Sequence, residues 1–361
     1  MRTDELDYEL PDEAIAQSPI EPRDAARLLV DRGPDTPPDH RFVRDLPSLI
    51  RPGDVVVVND TRVLPARVAI TRSTGGTGEV LLLEPASDPD RPGWWEALCR
   101  PSRKLPAGVV VRSAAGALRF EMGDDLGEGH RLVRPIPEEG TDLLDALTLA
   151  GRIPLPPYIT AALTDPERYQ TVFAERPASA AAPTAGLHLT PAVLDGIARS
   201  GGTVHHVELV VGLDTFRPIS VDRVEDHDIH TEAYRVPGPT WSAVQSTRDG
   251  GGRVVALGTT AVRALESAAR RTPDPSGARA GRTDLFITPG FDFAVVDVMM
   301  TNFHLPRSSL LALVQAFVGR RWRDLYATAV TDGYRFLSFG DAMLLTRAGA
   351  SAPERSGGDA A

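Results

Sequence analysis

A run of short β-like segments interrupts a sequence that otherwise alternates strand-like and helix-like stretches. Turns rich in Gly, Pro and Asp separate the six segments, which are Arg67–Thr71, Glu79–Glu84, Trp94–Arg100, Val109–Arg112, Ala117–Phe120 and Arg131–Arg134. Short strands at such regular spacing are typical of a small all-β barrel or sandwich. We therefore predict an inserted barrel-like domain at 67–149, which requires the residues on either side to form one discontinuous domain.

The flanking residues 1–66 and 150–346 indicate an α/β main domain. The apolar run Val55–Val58 predicts a buried strand that delivers Asn59, Asp60 and Arg62 at its carboxyl end. Further strand-like stretches are Val204–Val211, Arg253–Leu257, Asp284–Thr288 and Val295–Met300, and predicted helices begin after Thr190, at about Thr260 and at Ser308. Small and polar residues predict a disordered tail at 347–361.

The cysteine count and the hydropathy pattern indicate the cellular compartment of the protein. Cys99 is the only cysteine, which excludes a disulfide framework or a cysteine metal cluster within one chain and suits a reducing compartment. The first ten residues are acidic and do not resemble a signal peptide. Because no apolar run approaches the ~18 residues of a membrane span, we expect a cytoplasmic protein without a membrane partner.

The charge balance argues against a general RNA-coating protein. Lys and Arg total 39 and Asp and Glu total 49, so the net charge is −10. A local basic patch can still bind RNA, since charges act over about a Debye length, ~8 Å in physiological salt. The cluster Arg100–Lys104, which includes Arg103 and Lys104, is a candidate for phosphate contact together with Arg152 and Arg168. The alternative is a solvated surface run.

The segment Gly258-Thr259-Thr260 lies between a predicted strand and a predicted helix. Backbone N–H groups at such a helix start can hold a phosphate or the carboxylate of an amino-acid-like ligand. The alternative is an ordinary turn with threonine caps. The segment matches neither the Walker loop nor GxGxxG, so neither ATP nor NAD has sequence support.

The segment Asp226–Glu232 contains two histidines and three carboxylates within seven residues. His227 and His230 would share a face on a helix but not on a strand. No third ligand is evident nearby, so we expect no metal. A solvated acidic loop and an acid/base site both remain possible interpretations, since a carboxylate beside an imidazole changes its proton affinity.

Two further loops carry candidate ligand-binding residues. Thr301–Pro306 contains Asn302 and His304 at a predicted strand end, where open α/β sheets bind ligands, although His304 could simply cap the turn. Ala182–His188 is rich in small residues, which permit close backbone approach to a ligand.

The order of these segments resembles the S-adenosylmethionine:tRNA ribosyltransferase-isomerases of queuosine biosynthesis, from about Tyr8 to Thr346. The stretches that carry the resemblance are Tyr8–Pro11, Pro52–Asp54 with Asn59–Val63, Arg103–Leu105, Ile153–Ile159, Arg168–Val172, Ala181–His188, Glu225–His227 with His230 and Glu232, Gly258–Thr260 with Arg263, Thr301–Pro306, and Tyr334–Phe336 with Gly340–Met343.

The resemblance implies an α/β domain with an inserted β-barrel and S-adenosylmethionine as a ribosyl donor, with no separate cofactor. The acceptor would be 7-aminomethyl-7-deazaguanine in tRNA, and the products epoxyqueuosine, adenine and methionine. We expect a monomer whose basic patch contacts the tRNA. Candidate catalytic residues are His188, His227, His230, His304, Asp60, Asp226 and Glu232. Candidate substrate-binding residues are Asn59, Arg62, Arg103, Lys104, Tyr158, Thr184, Gly186, Gly258, Thr259, Thr260 and Asn302.

The implied chemistry consists of proton transfers between positioned groups. The sulfonium acidifies the adjacent 5′ carbon, adenine must leave with a proton, and the acceptor amine must lose one; each assisted transfer contributes about 10²–10⁴-fold in rate. Histidine and carboxylate side chains suit these steps, and carboxylates also suit a cationic substrate.

Four positions depart from the family pattern. Arg152 and Val210 stand where the family usually has histidine, and Asp214 stands where it has glycine; Glu208 also replaces a threonine. These differences keep two alternatives open: a related transferase or lyase that acts on a small molecule, and an inactive protein that binds tRNA or S-adenosylmethionine.

Overall fold

One large sheet and one closed barrel organise the chain. The computed structural model describes residues 1–34, 36–86, 88, 90–212, 218–229 and 231–349. The strands are β1 (Arg27–Val30), β2 (Asp39–Phe42), β3 (Val55–Asn59), β4 (Thr61–Val63), β5 (Arg67–Thr71), β6 (Thr77–Pro85), β7 (Trp95–Arg100), β8 (Val110–Ser113), β9 (Leu118–Gly127), β10 (His130–Pro137), β11 (Gly151–Arg152), β12 (Arg176–Ser179), β13 (Thr203–Leu209), β14 (Glu232–Val236), β15 (Val254–Leu257), β16 (Arg279–Thr283), β17 (Val298–Asn302) and β18 (Ala342–Thr346).

The helices connect the strands of the large sheet. The α-helices are α1 (Leu143–Ala150), α2 (Pro191–Arg199), α3 (Gly238–Asp249), α4 (Thr259–Ala268), α5 (Ser309–Val318) and α6 (Trp322–Thr331). Short 3₁₀ helices occupy Thr3–Leu6, Asp12–Ala14, Arg23–Ala25, Val43–Leu49, Ser102–Lys104, Pro166–Tyr169, Thr184–His188, Val224–Asp226 and Gly319–Arg321. No helix among the described residues is both long and apolar enough to cross a bilayer.

The large sheet has nine strands in the order β16-β14-β13-β3-β15-β17-β18-β1-β2. Its centre, β13-β3-β15-β17, is parallel, and antiparallel pairs flank it. Val55 and Val57 of β3 pack with the core beneath α4, α5 and α6, whereas Val56 and Val58 pack with the core beneath α2. Burial on both faces explains why β3 appears in the sequence as an uninterrupted apolar run.

The predicted β segments form a closed barrel. β5, β6, β7, β10, β9 and β8 pair in this order, the β5–β8 pairing closes the ring, and β11 adds to β5. The barrel has its own core, with Val68, Val80, Phe120 and Val133 fully buried. This architecture confirms the predicted α/β fold with an inserted β-barrel.

One predicted strand was wrong. Asp284–Thr288 has no regular structure, and the edge strand is instead β16, which ends at Thr283. The Leu285 carbonyl accepts from Nε of Arg263 at 2.9 Å, and Ile287 is buried in the core. The apolar run therefore packs inward, and the Arg263 side chain, not a neighbouring strand, hydrogen-bonds to its Leu285 carbonyl.

Residues 350–361 of the predicted tail lie outside the described residues. At the start of that tail, the Arg347 amide donates to the Asp297 carbonyl.

Capping residues place helix starts beside strand ends. The hydroxyl of Thr190 accepts from the Val193 amide at 3.3 Å at the start of α2, and Ser308 caps α5 through the Leu311 amide at 3.2 Å. Gly258 alone separates β15 from α4. The starts of α4 and α5 therefore lie at the edge where β15 and β17 end.

Candidate active site

A narrow cleft opens at the carboxyl edge of the parallel strands. It consists of three adjoining hollows of about 40, 30 and 30 Å³, and Leu310 lines all three. We call it the central cleft; its polar lining residues are Tyr158, Thr184, Glu232, Thr259, Thr260, Arg263, Thr301, Asn302, His304, Ser308, Ser309 and Ser338. Small-molecule pockets usually measure about 300–1,000 Å³, so the cleft is smaller in this structure than a typical ligand site.

Asn302, the last residue of β17, joins two of the predicted site residues. The Thr184 hydroxyl donates to its Oδ1 at 2.9 Å, and its Nδ2 lies 3.0 Å from Nε2 of His188 and 3.3 Å from the Asp341 carbonyl oxygen. Because the amide nitrogen faces His188, the imidazole Nε2 accepts this hydrogen bond and the ring proton resides on Nδ1. His188 therefore supports Asn302 from behind the cleft as a neutral ring.

Burial keeps two histidines of this region uncharged. It lowers the pKa of His188 to about 4, assisted by nearby arginines. Burial also lowers the pKa of His304 to about 3. His304 lines the cleft, and its Nε2 lies 2.9 Å from the Thr301 hydroxyl. Both rings are neutral at physiological pH, so they act through hydrogen bonds or accept a proton.

The start of α4 forms one wall of the cleft. Gly258 has φ 103°, a conformation that favours glycine, and the helix begins at the next residue. The first N–H groups of a helix have no intrahelical partner. The Thr260 hydroxyl oxygen is buried and has no hydrogen-bond partner among the described residues. This wall therefore offers donors to an anion such as a carboxylate.

A buried ion pair lines the largest of the three hollows, of about 40 Å³. Glu232, 3% exposed at the start of β14, pairs with Arg263 of α4 and accepts from the Gly212 amide at 3.2 Å. Arg263 also donates to the Leu285 and Thr283 carbonyls. The carboxylate is thus balanced by its arginine. The sequence analysis named Arg263 only among the residues that carry the family resemblance and not as a site candidate, although its position four residues after Thr259 places both on one helix face.

Apolar side chains line the rest of the hollow that contains this ion pair. They are Leu209, Val211, Ile229, Leu285, Phe286, Ile287, Leu310 and Leu313. The ring of His227 stands edge-on to that of Phe286, with centroids 5.6 Å apart. His227 therefore lies at the margin of the cleft, and His230 lies outside the described residues.

Residues 3–345 match the family described as queuosine biosynthesis protein. The chain belongs to this family. It is 51% identical over 352 residues to the S-adenosylmethionine:tRNA ribosyltransferase-isomerase of Rubrobacter xylanophilus, which covers 97% of this chain and 99% of that one. Identity to the protein of the same name from Heliobacterium modesticaldum is 48%, over 94% and 98% of the two chains.

A solved structure of the queuosine biosynthesis family also matches. The S-adenosylmethionine tRNA ribosyltransferase of Thermotoga maritima aligns with a TM-score of 0.53 and 34% identity, over 94% of this chain and 99% of that chain. The family resemblance inferred from the motifs is thereby confirmed.

Two other predicted residues lie at the end of β3, outside the cleft lining. Asn59 binds the backbone of Leu209 through both its amide atoms, at 3.0 and 3.2 Å, and so fixes β13 beside β3. Asp60 Oδ2 lies 3.4 Å from Nδ1 of His206, and this hydrogen bond raises the pKa of His206. The sequence analysis missed His206, because only the pairing of β13 with β3 brings it to Asp60.

The remaining predicted residues are dispersed. Arg62 pairs with Glu167 at 2.5 Å. Gly186 is buried, and a Cβ there would lie 2.9 Å from the side chains of Thr171 and Phe173, so its smallness serves packing. Three further residues are exposed and line none of the three hollows: Asp226 at the end of a 3₁₀ helix, and Arg103 and Lys104 in the short 3₁₀ helix between β7 and β8.

Three described positions that depart from the family pattern, Glu208, Val210 and Arg152, line none of the three hollows. Glu208 pairs with Arg176 and lies 3.7 Å from Arg235. Val210, whose amide donates to the Ala233 carbonyl, lines none of the three hollows. Arg152 lines a separate cavity beside the barrel. Asp214 lies outside the described residues.

Proposed function

We propose that this chain transfers and isomerises the ribosyl part of S-adenosylmethionine onto 7-aminomethyl-7-deazaguanine in tRNA. The product is epoxyqueuosine in the tRNA, and adenine and methionine leave. Relatives 43–51% identical over nearly their full length are named for this reaction. One observation of the structure carries the proposal: the start of α4, Asn302 and neutral His304 converge on a single cleft with apolar walls.

In this proposal the donor occupies the central cleft once its walls separate, with its charged and apolar parts against different walls. The methionine carboxylate takes the N–H groups at the start of α4 and the unpartnered Thr260 hydroxyl. The thioether chain and the sulfonium lie against the apolar wall, where the Phe286 ring attracts a cation. Because Arg263 already balances Glu232, this part of the cleft is close to electrically neutral.

The reaction then moves three protons. The base takes one from the 5′ carbon, adenine leaves with one on a ring nitrogen, and the acceptor amine loses one. The amine nitrogen bonds to the ribosyl carbon, while the C–S and glycosidic C–N bonds break and leave their electrons on the thioether sulfur and on adenine. The electron pair left at the 5′ carbon forms the new carbon–carbon bond to the 1′ carbon, and the ring oxygen moves from the 1′ carbon to the 5′ carbon to close the epoxide. Because burial lowers the pKa of His304 to about 3, the neutral ring is a weak base, and it suits a hydrogen bond to adenine rather than removal of the proton from the 5′ carbon.

The proposal extends to the partner and the arrangement of the chain. The exposed cluster Arg100–Lys104 on the barrel contacts tRNA phosphates, and the enzyme acts as a cytoplasmic monomer. Residues 1–66 with 150–346 form the catalytic domain and 67–149 the inserted domain. The closed strand pairing of the barrel and its separate core support that division.

The test measures adenine release and nucleoside mass after incubation with S-adenosylmethionine, with and without tRNA that carries the deazaguanine precursor. We expect both products only when the tRNA is present. Asn302→Ala should lower kcat by roughly 10²-fold, because it removes a positioned group that acts on the reacting centre. Gln245→Ala, at an exposed amide of α3, is the matched control and should keep wild-type turnover.

Other outcomes identify the alternatives. Adenine release without tRNA, or only with a small amine, would show a transferase or lyase of small molecules. Binding without any turnover would show an inactive relative.

A further inference from the structure

A second cavity, of about 500 Å³, lies beside the barrel and shares no lining residue with the central cleft. Its floor is a single row across five strands, in which each residue pairs directly with the next: Arg152, Arg67, Leu81, Leu98 and His130. Neighbouring strands lie about 4.8 Å apart, so the row spans about 19 Å. We call this space the barrel-side cavity.

The barrel-side cavity is positively charged although the whole chain is acidic. Glu79 and Arg100 form the next pair on the same face of β6 and β7, and Arg67 binds Glu79 at 3.0 Å. Arg100 and Arg152 are exposed, and neither has a carboxylate partner within the described part of the chain. With one arginine balanced by Glu79, the cavity presents two unbalanced positive charges.

The other walls of the barrel-side cavity are apolar. Leu81 and Leu98 form the middle of the floor, and Pro156, Pro157 and Ile159 lie in its lining. Apolar walls add no binding energy for a phosphate alone. A nucleotide can use them, because it has an apolar base face beside its charged phosphate. The half-buried imidazole of His130 adds a ring that can stack on a base or hydrogen-bond to its edge.

One segment connects the two cavities. Tyr158 lines the central cleft and its hydroxyl lies 2.7 Å from that of Ser338, while its neighbours Pro157 and Ile159 line the barrel-side cavity. A polymer whose reacting nucleoside enters the cleft can therefore place an adjoining nucleotide in the barrel-side cavity.

We propose that the barrel-side cavity binds one unpaired nucleotide of the RNA substrate. The base lies between the leucine floor and the proline wall beside His130, and its phosphates contact Arg100 and Arg152. An unpaired nucleotide fits because single-stranded loops can turn bases out of the stack, and the volume is that of one small ligand. The cationic donor is excluded by the two unbalanced arginines. This inference rests on the proposed function only in assigning RNA as substrate.

The test uses an RNA hairpin with the anticodon-loop sequence of the substrate tRNA, labelled for fluorescence anisotropy and carrying 2-aminopurine at each loop position in turn. Arg100→Ala and Arg152→Ala should each weaken binding roughly tenfold, as expected for loss of a hydrogen bond to a charged group. Each substitution should also reduce, by about 0.7, the steepness with which the logarithm of the hairpin binding constant falls with the logarithm of the salt concentration. One loop position should change fluorescence on binding, and Leu98→Trp, which fills the cavity, should abolish that change.

Controls separate local loss of contact from unfolding. Arg119→Ala removes an exposed arginine from β9, outside the cavity, and should bind the hairpin like the wild type. Affinity for S-adenosylmethionine alone should be the same in all four variants, and their thermal unfolding should match that of the wild type.

The outcomes distinguish this inference from the proposed function. Wild-type hairpin affinity and salt slope in both arginine variants would overturn the inference even if tRNA is turned over. Loss of S-adenosylmethionine affinity in place of RNA affinity would also overturn it, since the cavity would then hold the donor. Weakened hairpin binding in a protein that never releases adenine would support the inference and refute the proposed function.

Discussion

His188 and His304 are held in the fold as neutral rings, and this couples protonation to folding. Burial lowers their pKa values to about 4 and about 3, whereas an unfolded histidine titrates at about 6.5. Above that pH both states are neutral and stability is unaffected. Below it the unfolded chain gains protons that the folded chain does not, so the stability from these rings is lost as pH falls from about 6.5 towards 3.

We predict that His304→Gln makes stability less dependent on pH. Each buried ring should contribute about 1.4 kcal/mol per pH unit below 6.5, or about 2 kcal/mol by pH 5. Denaturant unfolding near pH 7 and near pH 5 measures the difference. In the variant, this difference should be about 2 kcal/mol smaller than in the wild type, and His188→Gln should give a similar reduction. Equal differences in variant and wild type would show that the ring is not held neutral.

For single residues, the sequence predicts which positions lie at strand ends but not which way their side chains turn. Asn302 ends β17 and His304 follows it, and the rule that strand ends hold ligands selects both without a structure. Asp60 satisfies the same rule, yet it faces His206 rather than the central cleft. The face to which a side chain turns depends on strand pairing, and a sequence does not contain that information locally.

Among the elements, the start of α4 depends most on a single backbone conformation. Gly258 has φ 103° and ψ 148°, and a Cβ there would lie 3.3 Å from the Thr260 hydroxyl. A non-glycine residue in this region costs about 1–3 kcal/mol. Relief of that strain would require the backbone at the start of α4 to change, and with it the position of the first N–H groups of the helix.

We therefore predict that Gly258→Ala lowers the free energy of unfolding by about 1–3 kcal/mol and raises KM for S-adenosylmethionine. Gly250→Ala, at a glycine with φ −81° at the end of α3, is the control and should leave KM unchanged. Denaturant unfolding and steady-state kinetics measure both effects. A KM for Gly258→Ala equal to that of the control would argue against donor binding at this helix start.

Element prediction succeeded where local pattern and tertiary environment agree. The barrel strands alternate and end in glycine turns, so β5 was predicted with its observed bounds, Arg67–Thr71. Asp284–Thr288 shows a similar apolar pattern but has a different structure, because Arg263 binds the Leu285 carbonyl where a neighbouring strand would otherwise do so. That partner lies 22 residues away and leaves no local sign in the pattern.

At the scale of the whole molecule, the central cleft and the barrel-side cavity are lined by different residues. No described residue between 67 and 149 lines the central cleft. The barrel core instead closes on itself, and the barrel-side cavity lies on the outer face of its strands. The two substrates are therefore expected to depend on different hydrophobic cores, although they meet across the wall at Tyr158.

This division predicts the behaviour of two core variants. Phe120 is fully buried in the barrel core and Phe303 is fully buried at the cleft. Replacing either with alanine should lower the free energy of unfolding by about 3–5 kcal/mol. Phe120→Ala should keep its affinity for S-adenosylmethionine in calorimetry, lose tRNA-dependent turnover and exchange amide hydrogens faster in β5–β10. Phe303→Ala should lose donor affinity as well, because this side chain lines the cleft. If Phe120→Ala lost donor affinity to the same extent, the barrel would have to support the donor site, and the two halves would not be separable.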